Sequence, residues 1–383
     1  MGTPRPPATP RLAAILLAAV VAAGACSGPT TRGSAGHTPS PVTATSASPS
    51  PITSSPPAAT PSPSPVAPAG AYGVLVTSTS SSTYTASLVG ADGRVAAAVQ
   101  ASSPPPVTCG AAAAGLVPLP VSTSDSKLYF MDASGSVRTL SPGGSASSVV
   151  AIRLPTPTPA RRSIFAVSPD GTRMAVAIVT FGVGGASTTV LLDDLAVGPS
   201  QNPIFTQTGP DTLWPIGWHG GNVVLAKVPA CTQGGGPTCC GPQELHLVVP
   251  STAVRLFTIG GPTCVVPGSP SPAGVICENS AFTTATVLDW NGAAARTIAI
   301  PGPVGAELSP GGERVALVDS SGTTFAGLNL TLRGLLACGW IDEAHVLAGG
   351  DAQSQPRVGE LPSGIQVPVA AQGDCAGRIP GGL

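Results

Sequence analysis

From residue 71 onward the apolar positions fall in short runs of four to seven residues: GVLVTS, KLYFM, IFAV, MAVAIV, TTVLL, NVVLAKV, LHLVV, RTIAI, RVALV and HVLA. Polar turn clusters separate them, namely ADGR, DASGS, SPDG, SPGG and WNG. No stretch holds a helical period with caps. Many short β-rich runs with regular turns predict an all-β domain: a sandwich, a barrel or a propeller. Upstream the pattern differs twice. Residues 12–23 form one unbroken apolar run, and residues 27–70 show no apolar periodicity at all.

Internal repeats narrow the β architecture. Ser168-Pro169-Asp170-Gly171-Thr172-Arg173-Met174-Ala175 matches Ser309-Pro310-Gly311-Gly312-Glu313-Arg314-Val315-Ala316, both reading S-P-x-G-x-R-apolar-A after an apolar run. Gly217-Trp218 with Val224-Leu225-Ala226 matches Gly339-Trp340 with Val346-Leu347-Ala348, both reading G-W-x5-V-L-A. In each, a strand enters a turn and a second apolar strand follows. Hairpins such as LYFMDASGSVRTL and ATVLDWNGAAARTIAI add two further strands, which makes a four-stranded unit. The SPDG element resembles the WD40-like, or TolB-type, β-propeller repeat; SPGG is a partial match. The turn chemistry fits, since proline pre-sets φ at one position and glycine supplies positive φ at another.

At roughly 45 residues per blade the folded region, residues 71–383, divides into about seven four-stranded blades, with six or eight as the alternatives. Units are expected to start near Ala71, Val107, Arg162, Leu213, Pro262, Pro303 and Leu336. Trp218 and Trp340, at matching repeat positions, are expected in the core between blades rather than at a ligand mouth.

The upstream segments read as export machinery. Arg5 and Arg11 precede the 12-residue run LAAILLAAVVAA, too short to span a bilayer but suited to a signal-peptide core. It ends in Ala23-Gly24-Ala25-Cys26, which resembles the lipobox of bacterial lipoproteins, with Ala where Leu is commonest three residues before the cysteine. That resemblance implies cleavage after residue 25 and a diacylglycerol-modified, acylated Cys26. Ala-Gly-Ala also fits an ordinary cleavage site, which would give a secreted protein cut at the same bond. Residues 26–70 are Ser, Thr, Pro and Ala with repeats such as PSPSP. Such a segment buries too little to offset its ordering entropy, so a disordered tether is expected. Its 44 residues after Cys26 would reach on the order of 100 Å in a partly extended form. Its texture also resembles O-mannosylated actinobacterial linkers; an unmodified spacer is the alternative.

Composition adds three constraints. Gly (48) and Pro (44) are about twice as common as usual, and charged residues are only 9%. Lysine occurs only at Lys127 and Lys227. An Ala/Gly/Pro/Arg-rich, lysine-poor chain points to a GC-rich genome, and with the export signal to an actinobacterium. The net charge of −1 argues against nucleic-acid binding, which needs a cationic surface.

The nine cysteines fit the same picture. If Cys26 carries lipid, eight remain, and outside the cytoplasm these most simply form four disulfides. Cys264 and Cys277 flank a Pro/Gly turn and are expected to pair. Cys338 opens the last repeat and Cys375 follows its final strand, so a bond between them would pin the end of the domain. Cys231 is expected to pair with Cys239 or Cys240, leaving the other for Cys109. A soft-metal site from Cys231, Cys239, Cys240 and His246 is the rival, but C-x7-C-C lacks the spacing of structural zinc sites.

No signature of chemistry stands out. G-x-S-x-G, G-x4-G-K-[ST], H-E-x-x-H and EF-hand patterns are absent from the sequence. Gly182-Val183-Gly184-Gly185 reads as a hairpin turn. Asp342 and Glu343 are expected in an exposed turn, simply solvated, and Asp193-Asp194 likewise; acid–base use with His345 is the weaker reading. No catalytic, cofactor or metal residue is therefore assigned. The expectation is a lipid-anchored protein on the outer face of the membrane, its propeller binding a protein, peptide or glycan of the cell envelope. The alternative is a propeller enzyme, lactonase or glycan-acting, which predicts carboxylates or histidines converging from several blades at one channel mouth.

Overall fold

The computed structural model describes residues 70–77, 82–110, 113–198, 203–232, 242, 244–351 and 353–383. The expected signal peptide, Cys26 and the tether up to residue 69 lie outside the described residues, as do Cys239 and Cys240. The described elements are all strands.

Among the described residues the first strands are β1 (Tyr72–Val76), β2 (Thr83–Gly90) and β3 (Val95–Ser102), an antiparallel meander. A connection follows that holds the two-residue β4 (Ala114–Gly115). Next come β5 (Val121–Thr123), β6 (Leu128–Met131), β7 (Ser136–Leu140) and β8 (Ile152–Arg153) as one sheet, and β9 (Arg161–Val167), β10 (Arg173–Gly182), β11 (Gly185–Asp194) and β12 (Pro203–Gly209) as another. The fourth sheet holds β13 (Asp211–His219), β14 (Asn222–Pro229), β16 (Glu244–Val248) and β17 (Arg255–Gly260). Its β15 (Cys231–Thr232) leaves to pair with β4. Then follow β18 (Val275–Glu278), β19 (Thr284–Leu288) and β20 (Ala294–Ala299); β21 (Gly305–Leu308), β22 (Val315–Asp319), β23 (Gly322–Phe325) and β24 (Thr331–Arg333); and β25 (Ala337–Trp340), β26 (His345–Ala348), β27 (Arg357–Glu360) and β28 (Gln366–Pro368). The last strand, β29 (Asp374–Ile379), returns to pair with β1.

Each sheet runs in chain order from its first strand to its fourth, and the first strands touch one another in sequence: β5 with β9, β9 with β13, β21 with β25, β25 with β29, and β29 with β5. A ring of radial sheets results. The fold is a seven-bladed β-propeller. Blade 1 takes its inner strand, β29, from the far end of the chain, so the circle is closed by strand pairing.

Blade 5 looks three-stranded, but Val265 and Glu278 exchange both backbone hydrogen bonds, at 2.8 Å each, on the open side of β18. That bridge is the remnant of its inner strand. The adjacent disulfide Cys264–Cys277 staples the remnant to β18.

Three expectations need correction. The second unit starts at Val121, not near Val107; Val107 belongs to the connection and packs with Val179, Phe181 and Trp214 of blades 3 and 4. The first unit lacks its own inner strand, and Cys375 lies within β29, the closing strand, rather than after the last one. Cys231 bonds Cys109, with Cα atoms 5.9 Å apart, and not Cys239 or Cys240. This third bond tethers the long connection to blade 4 beside the β4–β15 pair, and it leaves Cys231 no thiolate for a metal.

The two sequence repeats turn out to be halves of one joint. In each S-P-x-G turn the glycine N–H donates to the serine carbonyl, Gly171 to Ser168 at 2.8 Å and Gly312 to Ser309 at 2.9 Å. Both glycines have φ near +75°, which an L side chain tolerates poorly. The tryptophan of the following blade then donates its indole N–H to the carbonyl two residues before that serine. Trp218 reaches Ala166 at 3.0 Å, and Trp340 reaches Glu307 at 3.1 Å. Arg173, the arginine of the SPDG repeat, lies 4.7 Å over the Trp218 ring. Both indoles are buried. A third S-P-x-G segment, Ser271-Pro272-Ala273-Gly274, closes a tighter turn in blade 5, in which Ser271 and Gly274 exchange both backbone hydrogen bonds, and its Ser271 carbonyl accepts the Trp290 indole at 3.0 Å. The buried Ser124 stands in the corresponding turn of blade 2.

Candidate functional site

Antiparallel order places the first-to-second and third-to-fourth turns of every blade on one face of the ring. Two features of that face carry polar chemistry.

The first is a groove of about 340 Å³ between blades 7 and 1, lined by Ala91, Asp92, His345, Val358, Glu360, Ile365 and Val367. Its floor is the apolar seam between the two blades, where Val358 packs with Leu75, Val89, Ile341 and Leu347. Asp92 comes from the β2–β3 turn, where it receives the Arg94 backbone N–H at 3.0 Å. The Arg94–Asp92 ion pair, 3.5 Å apart and strongly exposed on both sides, adds little. His345 and Glu360 face each other across the β26–β27 ladder.

Asp342 organises this corner. Its Oδ1 accepts the backbone N–H groups of Ala344 and His345 at 2.8 and 2.9 Å, and it lies 2.8 Å from His345 Nδ1. A carboxylate can only accept, so Nδ1 carries a proton, and Nε2 is the ring atom left to face a ligand. Glu360 accepts the Ser363 hydroxyl at 2.9 Å. The groove thus has apolar walls, two carboxylates and an oriented imidazole, and no Lys or Arg in its lining. It is fitted to a ligand with an apolar body and a hydrogen-bond donor or cationic group.

The second feature is the central mouth. Arg378 of β29 stands between Glu343 of blade 7 and Asp125 of blade 2. Burial lowers its pKa from the usual arginine range, and the two carboxylates oppose that shift. Burial raises the Asp125 carboxyl, helped by Asp170 and opposed by Arg378. Asp170 is held low by its bonds from Ser168 and Thr172. Glu343 accepts the Ser309 hydroxyl at 2.8 Å and the Gly311 N–H, so it caps the SPGG turn of blade 6.

Residues after β29 run across this mouth. Gly381 N–H donates to Ser124 O at 3.0 Å, Leu383 N–H donates to Trp218 O at 2.7 Å, and His219 Nδ1 lies 2.6 Å from Leu383 O. His219 in turn stacks on Trp290 with ring centroids 5.0 Å apart. The Leu383 side chain packs against Gly217, where a Cβ would come 2.5 Å from its Cδ1.

The solvated-turn expectation therefore fails for three carboxylates. Asp342 orients His345 as well as capping its own turn, Glu343 caps a neighbouring blade, and Asp193 is buried at 1% exposure; Asp194 caps its own turn, through Ala196 and Val197. His246 bonds Glu244 at 2.8 Å, and Glu244 also meets Lys227 at 3.4 Å. Gly182 and Gly185 pair as the ends of the β10–β11 hairpin. Sequence reading had Asp342 and His345 in hand but missed Asp92 and Glu360, which only the meeting of blades 7 and 1 brings to them.

One acid on the inner ring titrates far from its usual range. Burial pushes the Glu307 carboxyl up to about 8 from 4.5, with the Ser269 N–H opposing. The folded state then holds a proton that the unfolded chain releases above about pH 4.5, so stability falls as pH rises from there to about 8. Glu307→Gln is expected to flatten that decline in urea melts at pH 5 and pH 8, while its backbone carbonyl still receives Trp340.

No family model and no curated protein matches the chain. Among solved structures, a chain in a crystal structure of the mitotic checkpoint complex is 11% identical, with a TM-score of 0.43, over 67% of this chain and 83% of that one. Sqt1 of Saccharomyces cerevisiae is 11% identical, with a TM-score of 0.40, over 80% and 87% of the two chains. The dihydro-heme d1 dehydrogenase NirN is 13% identical, with a TM-score of 0.43, over 80% and 75%. The propeller is established by the chain's own strand pairing, and likeness at this level bears no functional argument.

Proposed function

We propose that the protein is a lipoprotein held on the outer face of the membrane through Cys26, and that its propeller binds a protein, peptide or glycan of the cell envelope in the groove between blades 7 and 1. The groove carries the reading: about 340 Å³, apolar walls and a few convergent polar groups are the features of a ligand site. The three disulfides are consistent with a location outside the cytoplasm. The actinobacterial origin is supported by composition alone.

Photo-crosslinking in cells tests the groove. With p-benzoylphenylalanine replacing Ile365, which is 55% exposed, irradiation is expected to yield one discrete adduct. The same probe at Val183, 93% exposed on the opposite face, is expected to yield none. Equal adducts at both positions, or none at 365, would remove the groove from consideration. The anchor is tested separately. Cys26→Ala is expected to lose metabolic fatty-acid label and to move the protein from the membrane fraction to the medium; a variant that stays with the membrane refutes the lipid.

A second reading, a lactonase or glycan-acting enzyme, draws on the Asp342–His345 pair, because an imidazole with its proton fixed at Nδ1 presents Nε2 as a base. Turnover of a lactone or glycoside lost in His345→Gln would favour it over simple binding.

A further inference from the structure

The two carboxylates of the groove between blades 7 and 1 are fixed by the packing around them. Asp92 sits on the β2–β3 turn, which is pressed onto β28: a Cβ on Gly93 would meet the Pro368 carbonyl at 2.9 Å and the Val367 side chain at 3.2 Å. On the other side, the Glu360 N–H donates to the Ile365 carbonyl at 2.8 Å and the Gly364 N–H to the Glu360 carbonyl at 2.9 Å. This closes the β27–β28 turn and sets Glu360 and Ile365 on the groove together. Glu360 Oε2 takes the Ser363 hydroxyl, and among the described residues nothing else engages Oε1.

Two of the seven lining residues are thus acids, in a chain with 18 acids among 383 residues. A third carboxylate, Asp342, stands behind His345 at 2.8 Å. Opposing charge is sparse. Arg94 meets Asp92 at 3.5 Å, but its side chain is 89% exposed and the pair is screened by water and salt. Arg357 is turned to Gln366, at 3.2 Å. The groove is therefore negative at its carboxylates and apolar along Val358, Ile365 and Val367. A long aliphatic stem that ends in a positive charge matches both halves. A sugar ring matches neither, because no aromatic face lines the groove for its C–H surface to stack on. The groove is also open, with Ile365 left 55% exposed. A free small amine would stay largely in water here, whereas small-molecule sites enclose most of their ligand. A side chain carried on a larger body needs no such enclosure.

Resting on the groove reading above, we infer that the occupant is a lysine side chain of a protein or peptide partner. Its methylene stem lies along Val358, Ile365 and Val367, and its ammonium reaches Glu360 and Asp92. The pairing is partly exposed, so it gives selectivity for a basic segment and a modest affinity per lysine.

The test uses the full chain in detergent micelles and the Ile365 methyl resonance, identified by its loss in Ile365→Ala. Three probes are titrated: acetyl-Ala-Ala-Lys-Ala-Ala-amide, the same peptide with norleucine for lysine, and n-butylamine. The lysine peptide is expected to shift the Ile365 methyl with at least fivefold higher affinity than the norleucine peptide, and to lose that advantage in 0.5 M salt. Butylamine is expected to bind at least tenfold more weakly than the lysine peptide. Glu360→Gln and Asp92→Asn keep the Ser363 and Arg94 N–H acceptors and should fold normally. Each is expected to weaken the lysine peptide about threefold and to leave the norleucine peptide unchanged. Equal affinity for lysine and norleucine, or no effect of either variant, would overturn the cationic ligand while the responding methyl keeps the groove as a site. Butylamine binding as tightly as the lysine peptide would overturn the peptide source. An Ile365 methyl that answers none of the probes would also overturn the inference; a crosslinked adduct at position 365 would then leave the groove to another ligand class, and its absence would remove the groove as well.

Discussion

Trp218→Ala is expected to cost about 4 kcal/mol of stability, the middle of the range for emptying a buried aromatic site. The ring is 1% exposed, so its removal opens a cavity between blades 3 and 4 beside Ala166, Leu213, Val223 and Leu225. It also removes the indole N–H from the Ala166 carbonyl, which keeps only its ladder partner opposite Ala175, and it removes the face on which Arg173 rests. Trp218→Phe keeps most of the volume and loses the N–H, so an intermediate cost is expected. Denaturant melts of the three proteins check the order. An alanine variant within 1 kcal/mol of wild type would mean that the joint between S-P-x-G and G-W blades does not hold the ring together.

Breaking the Cys338–Cys375 bond is expected to cost about as much, for a different reason. Loop-closure entropy for a separation of 37 residues corresponds to about 4 kcal/mol. The bond joins β25 to β29, the inner strands of blades 7 and 1, at the seam where the circle closes. The double variant Cys338→Ser/Cys375→Ser should therefore melt lower, and limited proteolysis should cut first within residues 374–383. Cys264–Cys277, with a separation of 13, spans one blade and offers a control. Its loss is expected to lower stability somewhat less and to leave the seam protected from protease. Equal proteolysis at residues 374–383 in both variants would contradict a special role for the seam.

What could be read from the chain was what local chemistry dictates. SPDG and SPGG demand a turn because of proline and a positive-φ glycine, and the paired G-W motifs mark blades because a tryptophan must be buried. Both were legible, as were most blade starts. Less legible were features set by the ring as a whole. β29 reads D-C-A-G-R-I and lacks the apolar alternation of a strand, since it is stabilised by β1 on one side and by β5 and β25 on the others. Ser271-Pro272-Ala273-Gly274 hid as a third S-P-x-G turn because its preceding strand has shrunk to Val265. Cys109 and Cys231 are 122 residues apart and meet only because the connection before β5 crosses to blade 4. The groove was invisible for the same reason. Asp342 and His345 are neighbours in sequence, whereas Asp92 arrives from the other end of the fold.

The borrowed strand of blade 1 has a bearing on assembly. During synthesis β1, β2 and β3 emerge first, and β29 follows only after six further blades. Throughout that interval β1 presents an unpaired edge with a wholly buried-type side-chain pattern, YGVLV. Such an edge accepts a strand from any neighbour as readily as its own. Crowding many nascent copies side by side would thus favour exchanged dimers, in which each molecule lends its last strand to the other, and oxidation of Cys375 would then make the exchange permanent.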